Sequence, residues 1–371
     1  MKKNLSYILI AFALFCGGCG TNETNPISVN LEDKSTTWEE AGKHFQIDEL
    51  LPVSLGNTMI GNIDKILLHD AGLFVLSKMQ QSIFLLNPDN GEVRTLLHRL
   101  GRAKDEYLSI DDFAVDSQGN LYILDSDSRK VNQYDPNGKH LKTIQTSGGK
   151  ALAVADNGHI AVYCHIFDKE KQMIIYDADG KEVQSISTET PLPRILLSNR
   201  ASVIKMQDQF LFCNPFENSL YLTTDDGCEK LTTFDFDPYN TDIERMRNLD
   251  PREVNKVLMN NDEVFFLHHL SHYKDLLFFS TSRQDVIVYD MKQQTASCVS
   301  ATPSPYRILF AEPLSVDAKG RFCSILRDNN IRQGLFPLIE HDGSEIKALE
   351  EALKQKGQRS DFWLLKGHIV E

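Results

Sequence analysis

The stretch VDSQGNLY at residues 115–122 places two short apolar runs on either side of an Asp-x-x-Gly turn. Glycine adopts positive φ without steric cost, so this pattern predicts a strand, a tight turn and a second strand. The same arrangement occurs three more times, at LHDAGLFV (68–75), VADNGHIA (154–161) and VDAKGRFC (316–323). The chain therefore contains a repeated hairpin.

A second type of turn follows the first and completes a four-stranded unit. It occurs at LNPDNG (86–91), YDPNG (134–138), YDADG (176–180), TDDG (224–227) and HDG (341–343). Four short strands repeated about every 40 to 50 residues are typical of a β-propeller, because one such sheet cannot bury both of its faces alone. We therefore predict an all-β fold, a six-bladed β-propeller of four-stranded antiparallel blades with short helical insertions.

The six predicted blades cover 61–98, 107–146, 147–188, 199–236, 264–300 and 305 to the C-terminus. Blades four and five lack the glycine of the first turn, and their assignment depends on flanking apolar runs at 210–212 and 276–279.

Two helices and one closing strand are predicted outside the repeats. Asp250 and Pro251 form an N-cap and N1 pair ahead of a helical run at 252–259, within an insertion at 237–262. Apolar spacing predicts a second helix at 344–356. The segment 45–54 has no hairpin partner, and we expect it to pair with 362–366 and close the ring.

The N-terminus has the features of a lipoprotein signal peptide. Lys2 and Lys3 precede an apolar stretch at 5–15, which is shorter than the roughly 20 residues of a membrane-spanning helix, and then the sequence CGGC at 16–19. We predict a signal peptide at 1–19 with lipid on Cys19, a flexible tether at 20–43 and the propeller at 44–371. An ordinary signal peptide or an N-terminal anchor helix remains an alternative.

Charge and cysteine usage exclude some classes of function. Removal of Lys2 and Lys3 changes the formal charge from −13 to −15, which disfavours nucleic-acid binding. The five cysteines after Cys19 are widely spaced and odd in number, so we expect buried thiols rather than a disulfide framework or a zinc site. A single bridge from Cys213 to Cys228 remains open.

The segment LHRLGRAKDEYLSIDDFAVDSQGNLYILDSDSRKVNQY at 97–134 resembles the NHL-type repeat. More narrowly, it resembles the six-bladed β-propeller lipoproteins of Bacteroidetes, whose loop G-x-G-x-G-P-G-E-Y matches GRAKDEY (101–107) at the first glycine and the Glu-Tyr ending. The resemblance implies a propeller in the cell envelope, lipid-anchored at the outer membrane, and no common activity. The weakly acidic segment after Cys19 favours the periplasmic face over the cell surface.

Candidate ligand groups lie at the inner strands, where all blades converge on the channel. Asp64, Asp111 and Asp112 stand at the inner strands of blades one and two and could bind calcium or a ligand amine. Resemblance to gluconolactonase-type enzymes would imply a catalytic calcium, but blades three and five offer no matching carboxylate. We expect no cofactor, with calcium as the alternative.

Two further groups are weaker candidates. His268, His269 and His272 could hold a transition metal, and His268 and His272 are expected to point to the same side of a strand. The charged loop of Lys104, Glu106 and Tyr107 could gate the channel, or could be an ordinary linker between blades.

No triad, nucleophile elbow, phosphate loop or dinucleotide fingerprint appears in a suitable context. The sequence therefore favours a non-catalytic binding or scaffolding propeller, bound to a membrane by its N-terminal lipid, that recognises a carbohydrate, peptide or protein partner through its channel face or rim. A divalent-cation-dependent hydrolase or lyase in the channel is the alternative. Sensing or assembly through the insertion at 237–262 is a third hypothesis.

Overall fold

A computed structural model of the chain describes residues 25–32, 44–164, 171–187, 202–260, 262–298, 314–327 and 362–370. These residues form six sheets, each of which contains a run of four antiparallel strands. In each sheet the first strand of the predicted blade lies at one edge, and these six first strands contact one another in a closed ring. The predicted six-bladed propeller is therefore confirmed.

Blades one to three contain only strands that are consecutive in the chain. Their strands are β3 (Lys65–His69), β4 (Gly72–Ser77), β5 (Ser82–Leu86) and β6 (Val93–Leu97); β7 (Asp112–Val115), β8 (Leu121–Asp125), β9 (Lys130–Tyr134) and β10 (His140–Gln145); and β11 (Ala151–Val154), β12 (Ile160–Tyr163), β13 (Met173–Tyr176) and β14 (Glu182–Ile186).

Blades four to six include two strands from the N-terminal region, β1 (Ile27–Ser28) and β2 (Phe45–Pro52). Their other strands are β15 (Ser202–Met206), β16 (Gln209–Cys213), β17 (Ser219–Thr224) and β18 (Gly227–Asp235); β19 (Leu267–Tyr273), β20 (Leu276–Thr281), β21 (Val286–Asp290) and β22 (Thr295–Cys298); and β23 (Leu314–Val316), β24 (Arg321–Arg327) and β25 (Phe362–Ile369). Apart from β1 and β2, the strands of every blade lie within its predicted limits.

The middle strands are buried on both faces because each blade is covered by a neighbour on either side. Every residue of β4, β8 and β12 is buried. In outermost strands such as β10 and β14, most residues are instead exposed or half-buried. The apolar core thus lies between blades, which leaves polar side chains to the axis and the rim.

The hairpin turns confirm the role expected of glycine and explain the two blades that lack it. The glycine of the first turn has φ of 84° at Gly119 and 77° at Gly320. In blades four and five the hairpin has a shorter, two-residue loop, whose first residue is left-handed: Gln207, with φ of 56°, and Lys274, with φ of 52°. The hairpin is therefore formed without glycine, although a non-glycine residue is strained in that conformation.

The ring closes through a joint between the two ends of the chain. Strand β2 pairs antiparallel with β25, with Leu50 opposite Leu365, and β25 pairs on its other side with β24. This confirms the predicted closing strand. Leu50 and Trp363 are buried in the core between blades five and six.

Part of the predicted flexible tether is instead packed on blade four. Strand β1 adds to β18 in parallel, with Ile27 opposite Phe234. Val29 and Leu31 are buried in the core between blades four and five, and the hydroxyl of Tyr239 donates to the Glu32 carboxylate. The prediction of a free linker over 20–43 is wrong for residues 27–31, because their alternating apolar side chains are buried.

Two helices lie in the insertion after blade four. The predicted helix is present as α2 (Pro251–Asn260), and Asp250 accepts a hydrogen bond from the Arg252 amide at 2.8 Å. A preceding helix, α1 (Ile243–Asn248), is capped by Asp242. The predicted signal peptide, including Cys19, and the helix predicted at 344–356 lie outside the described residues.

All five cysteines after Cys19 are free thiols: Cys164, Cys213, Cys228, Cys298 and Cys323. Four of them are buried and Cys228 is half-buried, as expected for small apolar residues in strands. The alternative of a bridge from Cys213 to Cys228 is therefore wrong.

Closure of the ring gives a stability prediction. We expect Leu50→Ala to lower the free energy of unfolding by about 2–5 kcal/mol, because it leaves a cavity at the joint between β2 and β25. Leu141→Ala is the control, since Leu141 on β10 is 48% exposed and Leu50 only 4%. Urea unfolding followed by tryptophan fluorescence measures both, and equal losses would contradict the importance of the joint.

Candidate functional site

The six inner strands surround a cavity of about 1150 Å³ along the ring axis. All inner strands run in the same direction, so their first residues share one end of the cavity, which we call the upper mouth. Lys65, Asp112 and Lys150 line this end together with Asp64 and Lys78. Residues of the first-type turns, such as Asp70 and Lys319, line the opposite end, the lower mouth.

Asp112 connects three blades at the upper mouth. Its Oδ1 accepts from the Lys65 ammonium of blade one at 2.8 Å, and its Oδ2 accepts from the Leu152 amide of blade three at 2.8 Å. The same ammonium also donates to the Phe113 carbonyl at 2.8 Å. Asp112 is 8% exposed, so both of these charge-assisted bonds are shielded from water.

Asp111 forms a second pair with blade three. Its Oδ1 accepts from the Lys150 ammonium at 2.9 Å, and its Oδ2 accepts from the Ser126 amide at 3.0 Å and the Ser109 hydroxyl at 3.2 Å. Burial alone would raise the pKa of Asp111, but Lys150 and Ser126 hold that pKa below its usual value. Asp111 is therefore ionised at neutral pH.

Asp64 and Lys78 complete the upper mouth. Asp64 is exposed, and its Oδ2 accepts from the backbone amide of Lys78 at 2.7 Å. The Lys78 side chain is half-buried and faces the cavity. Burial lowers the pKa of Lys78, whereas the negative charges of three aspartates oppose that shift: Asp112, Asp111 and Asp64.

The structure brings the three predicted carboxylates to one mouth but gives them lysine partners. Calcium needs six to eight oxygen ligands, and carboxylates that are already bonded to ammonium groups are poor candidates for it. Within the described part of the chain, no group of three or more His, Cys, Asp or Glu residues could hold a metal ion. Sequence reasoning missed Lys65 and Lys150, although both begin or directly precede an inner strand.

The lower mouth carries exposed ion pairs between blades. The Lys319 ammonium and the Arg321 guanidinium both bind the Asp70 carboxylate, at 2.7 and 2.6 Å. Lys205 binds Asp156 at 2.7 Å. These pairs are in contact with water, so each contributes at most about 1 kcal/mol to stability.

The three candidate histidines line the cavity, but they do not form a group that could hold a metal ion. Strand β19 has a bulge between His268 and Ser271, so that His268 lies opposite Ser280 and His272 opposite Leu277. These two partners are three residues apart, which places His268 and His272 on opposite faces of the sheet. The prediction that they share a side is wrong because of this extra residue.

The histidines have different hydrogen-bond partners, although the rings of His268 and His269 pack edge to face with centroids 4.4 Å apart. His268 donates from Nε2 to the Thr281 carbonyl at 2.9 Å. His269 is exposed and has φ of 55°. Burial lowers the pKa of His272, and the nearby Lys205 charge lowers it further.

The predicted loop of Lys104, Glu106 and Tyr107 packs against blades one and two and does not line the cavity. The Glu106 carboxylate accepts from the Ala103 amide at 2.7 Å. Tyr107 is fully buried and donates to the Gln81 carbonyl at 2.9 Å, and burial raises its pKa to about 12. The loop is therefore a linker between blades, and the alternative of a channel gate is not supported by its position.

The family is shown by a sequence match over residues 56–357 to a model described as a domain of unknown function, DUF4934. The chain belongs to the DUF4934 family. No protein of curated function matches the sequence.

The DUF4934 fold is similar to that of two solved Bacteroides proteins. The first, from Bacteroides fragilis and thought to be exported, is 13% identical with a TM-score of 0.67, over 93% of this chain and 99% of that one. The second, a member of the DUF4221 family from Bacteroides vulgatus, is 10% identical with a TM-score of 0.57, over 88% of this chain and 98% of that one. At such identities the likeness shows the fold alone.

Among the helices that the structure describes, none has the length and hydropathy needed to cross a membrane.

The role of Asp112 gives a second prediction. We expect Asp112→Ala to lower the free energy of unfolding by about 3 kcal/mol, because it removes the anion that pairs with the Lys65 ammonium and the acceptor of the Leu152 amide. The matched control is Glu182→Ala, which breaks the exposed pair with Lys171 and should cost less than about 1 kcal/mol. Urea unfolding measures both variants, and similar losses would show that Asp112 does not join the blades.

Proposed function

We propose that this protein is a membrane-tethered, non-catalytic binding propeller that recognises a carbohydrate, peptide or protein partner at the upper mouth of its channel. The observation that carries the proposal is the cavity of about 1150 Å³ lined by charged side chains that partly buried ion pairs hold in place. Cavities of this size with a few fixed polar groups are typical ligand sites.

The partners of the channel side chains favour binding over catalysis. Asp111 and Asp112 are engaged by lysines, so neither is available as a general base. The Ser315 hydroxyl accepts from the Leu68 amide at 2.8 Å, and His268 donates to a backbone carbonyl. The Ser315 bond joins blade six to blade one, and the His268 bond joins two strands within blade five. Both side chains thus have structural partners, as expected of a rigid scaffold.

The tether in this proposal is a lipid on Cys19, with the protein in the cell envelope at the periplasmic side of the outer membrane. Strand β1, the fifth strand of blade four, limits how far the ring can lie from the membrane. From Cys19 to Pro26 an extended chain spans at most about 25 Å, and β1 begins at Ile27. The ring would therefore stay within that distance of the bilayer. The NHL-type character of the repeats remains a prediction.

The tether is tested by labelling. We expect cells given a palmitate analogue to label the protein through Cys19, and Cys19→Ala to abolish the label, since its thiol accepts the lipid. Cys16→Ala is the matched control and should leave labelling intact. Labelling that persists in Cys19→Ala would overturn the anchor. Protease treatment of intact cells should leave the protein uncut if it faces the periplasm.

The non-catalytic site is tested by elemental analysis of the purified protein. We expect substoichiometric calcium, because lysines occupy the carboxylates of the upper mouth. Calcium at one equivalent that is lost in Asp112→Ala, but retained in Glu182→Ala, would instead support a divalent-cation-dependent hydrolase or lyase that uses Asp64, Asp111 and Asp112.

A further inference from the structure

Lys78 differs from the other two lysines of the upper mouth. The ammonium groups of Lys65 and Lys150 are held by Asp112 and Asp111 at 2.8 and 2.9 Å. The hydrogen bonds of Lys78 are made by its backbone: its amide donates to Asp64 and its carbonyl accepts from Gln81. Among the described residues, its ammonium has no hydrogen-bond or ion-pair partner, although the side chain is half-buried and lines the cavity.

A half-buried ammonium without an acceptor costs stability, because it has lost part of its water and gained no bonded anion. The lowered pKa of Lys78 is a consequence of the same burial. Strand β4, which precedes Lys78, is buried along its whole length and fixes where the lysine stem starts. The arrangement is that of a preorganised cation that lacks its anion.

We propose that Lys78 binds the carboxylate of a sugar acid at the upper mouth, with Asp64 as acceptor for a neighbouring hydroxyl of the same ligand. This deepens the binding function proposed above and rests on it. Asp64 is exposed beside Lys78, and only its Oδ2 is occupied by a described residue. One donor and one acceptor side by side match a carboxylate with an adjacent hydroxyl, which is the pattern of a uronic acid.

The surrounding charges favour a monoanion over a phosphate or a sulfate cluster. The charges of Lys65 and Lys150 are offset by those of Asp112 and Asp111, which leaves one unpaired cation beside the carboxylate of Asp64. With those two pairs neutralised, a dianion would meet one ammonium and the carboxylate of Asp64, so at most one of its two charges would be balanced. A carboxylate carries a single charge and accepts the short, charge-assisted bonds that an ammonium donates.

The probe is methyl glucuronide, and the measurement is isothermal titration calorimetry or ligand-observed NMR on the full folded protein. We expect binding of methyl glucuronide and no binding of methyl glucoside, which lacks the carboxylate. Lys78→Met should weaken binding of the glucuronide by about tenfold or more. Lys319→Met is the matched control at the lower mouth and should bind as the wild type does.

A thermal unfolding measurement separates a binding role from a structural one. We expect Lys78→Met to melt at or above the wild-type temperature, because it removes a desolvated charge. If Lys78 mainly stabilised the ring, Lys78→Met would melt below the wild-type temperature. Lys78→Met that melts lower and still binds the glucuronide normally would overturn the inference.

Two further binding measurements distinguish a sugar carboxylate from a peptide carboxylate, and failure of this inference from failure of the proposed binding function. If acetyl-trialanine with a free C-terminus binds through Lys78, its amide does not, and methyl glucuronide fails, the sugar assignment is wrong. If a neutral glycan or a protein partner binds the upper mouth equally well in wild type and Lys78→Met, this inference fails while the binding function stands.

Discussion

The whole ring depends on the pairing of β2 with β25. Without it, the outer edge of blade six would be unpaired, and the apolar side chains of β2 that lie against blades five and six would face water. Residues more than 300 positions apart in the chain, such as Leu50 and Leu365, are brought into register by this joint. A closed ring cannot open at one blade without exposing the core of its neighbours, so the inner strands keep fixed spacings.

Fixed inner strands explain the chemistry of the axis. Apolar side chains pack between the blades. The inner strands begin at the mouth of the channel, which is open to water, and charged residues are therefore found there. Asp112 satisfies a lysine of the preceding blade and an amide of the following blade at once. A buried ion pair gives little net stability compared with an apolar pair. Its effect here is to define how three blades are placed relative to one another.

The fold could be predicted from the sequence because each hairpin turn is encoded by a few consecutive residues and the same pattern recurs along the chain. The glycines of the first turn and the flanking apolar runs predicted all six blades, including the two whose shorter loops begin at Gln207 and Lys274 and contain no glycine. The site was less readable because its bonds join different blades: Lys65 and Asp112 are 47 residues apart. The docked segment at 27–31 did carry a signal, since apolar residues alternate there, but the polar composition around it masked the pattern. The bulge in β19 has no such local signal.

Charge balance gives the channel its capacity for selective binding. The chain has a formal charge of −13, yet lysines and aspartates are present in similar numbers along the described cavity wall. A wall on which every charge was neutralised by its neighbour would have no electrostatic preference among ligands. Specific attraction requires a group whose charge is not satisfied within the protein, and such a group must reduce stability in the free state. At the upper mouth the two requirements meet in one side chain, Lys78, while the bonded pairs around it supply the rigidity that keeps its ammonium in place.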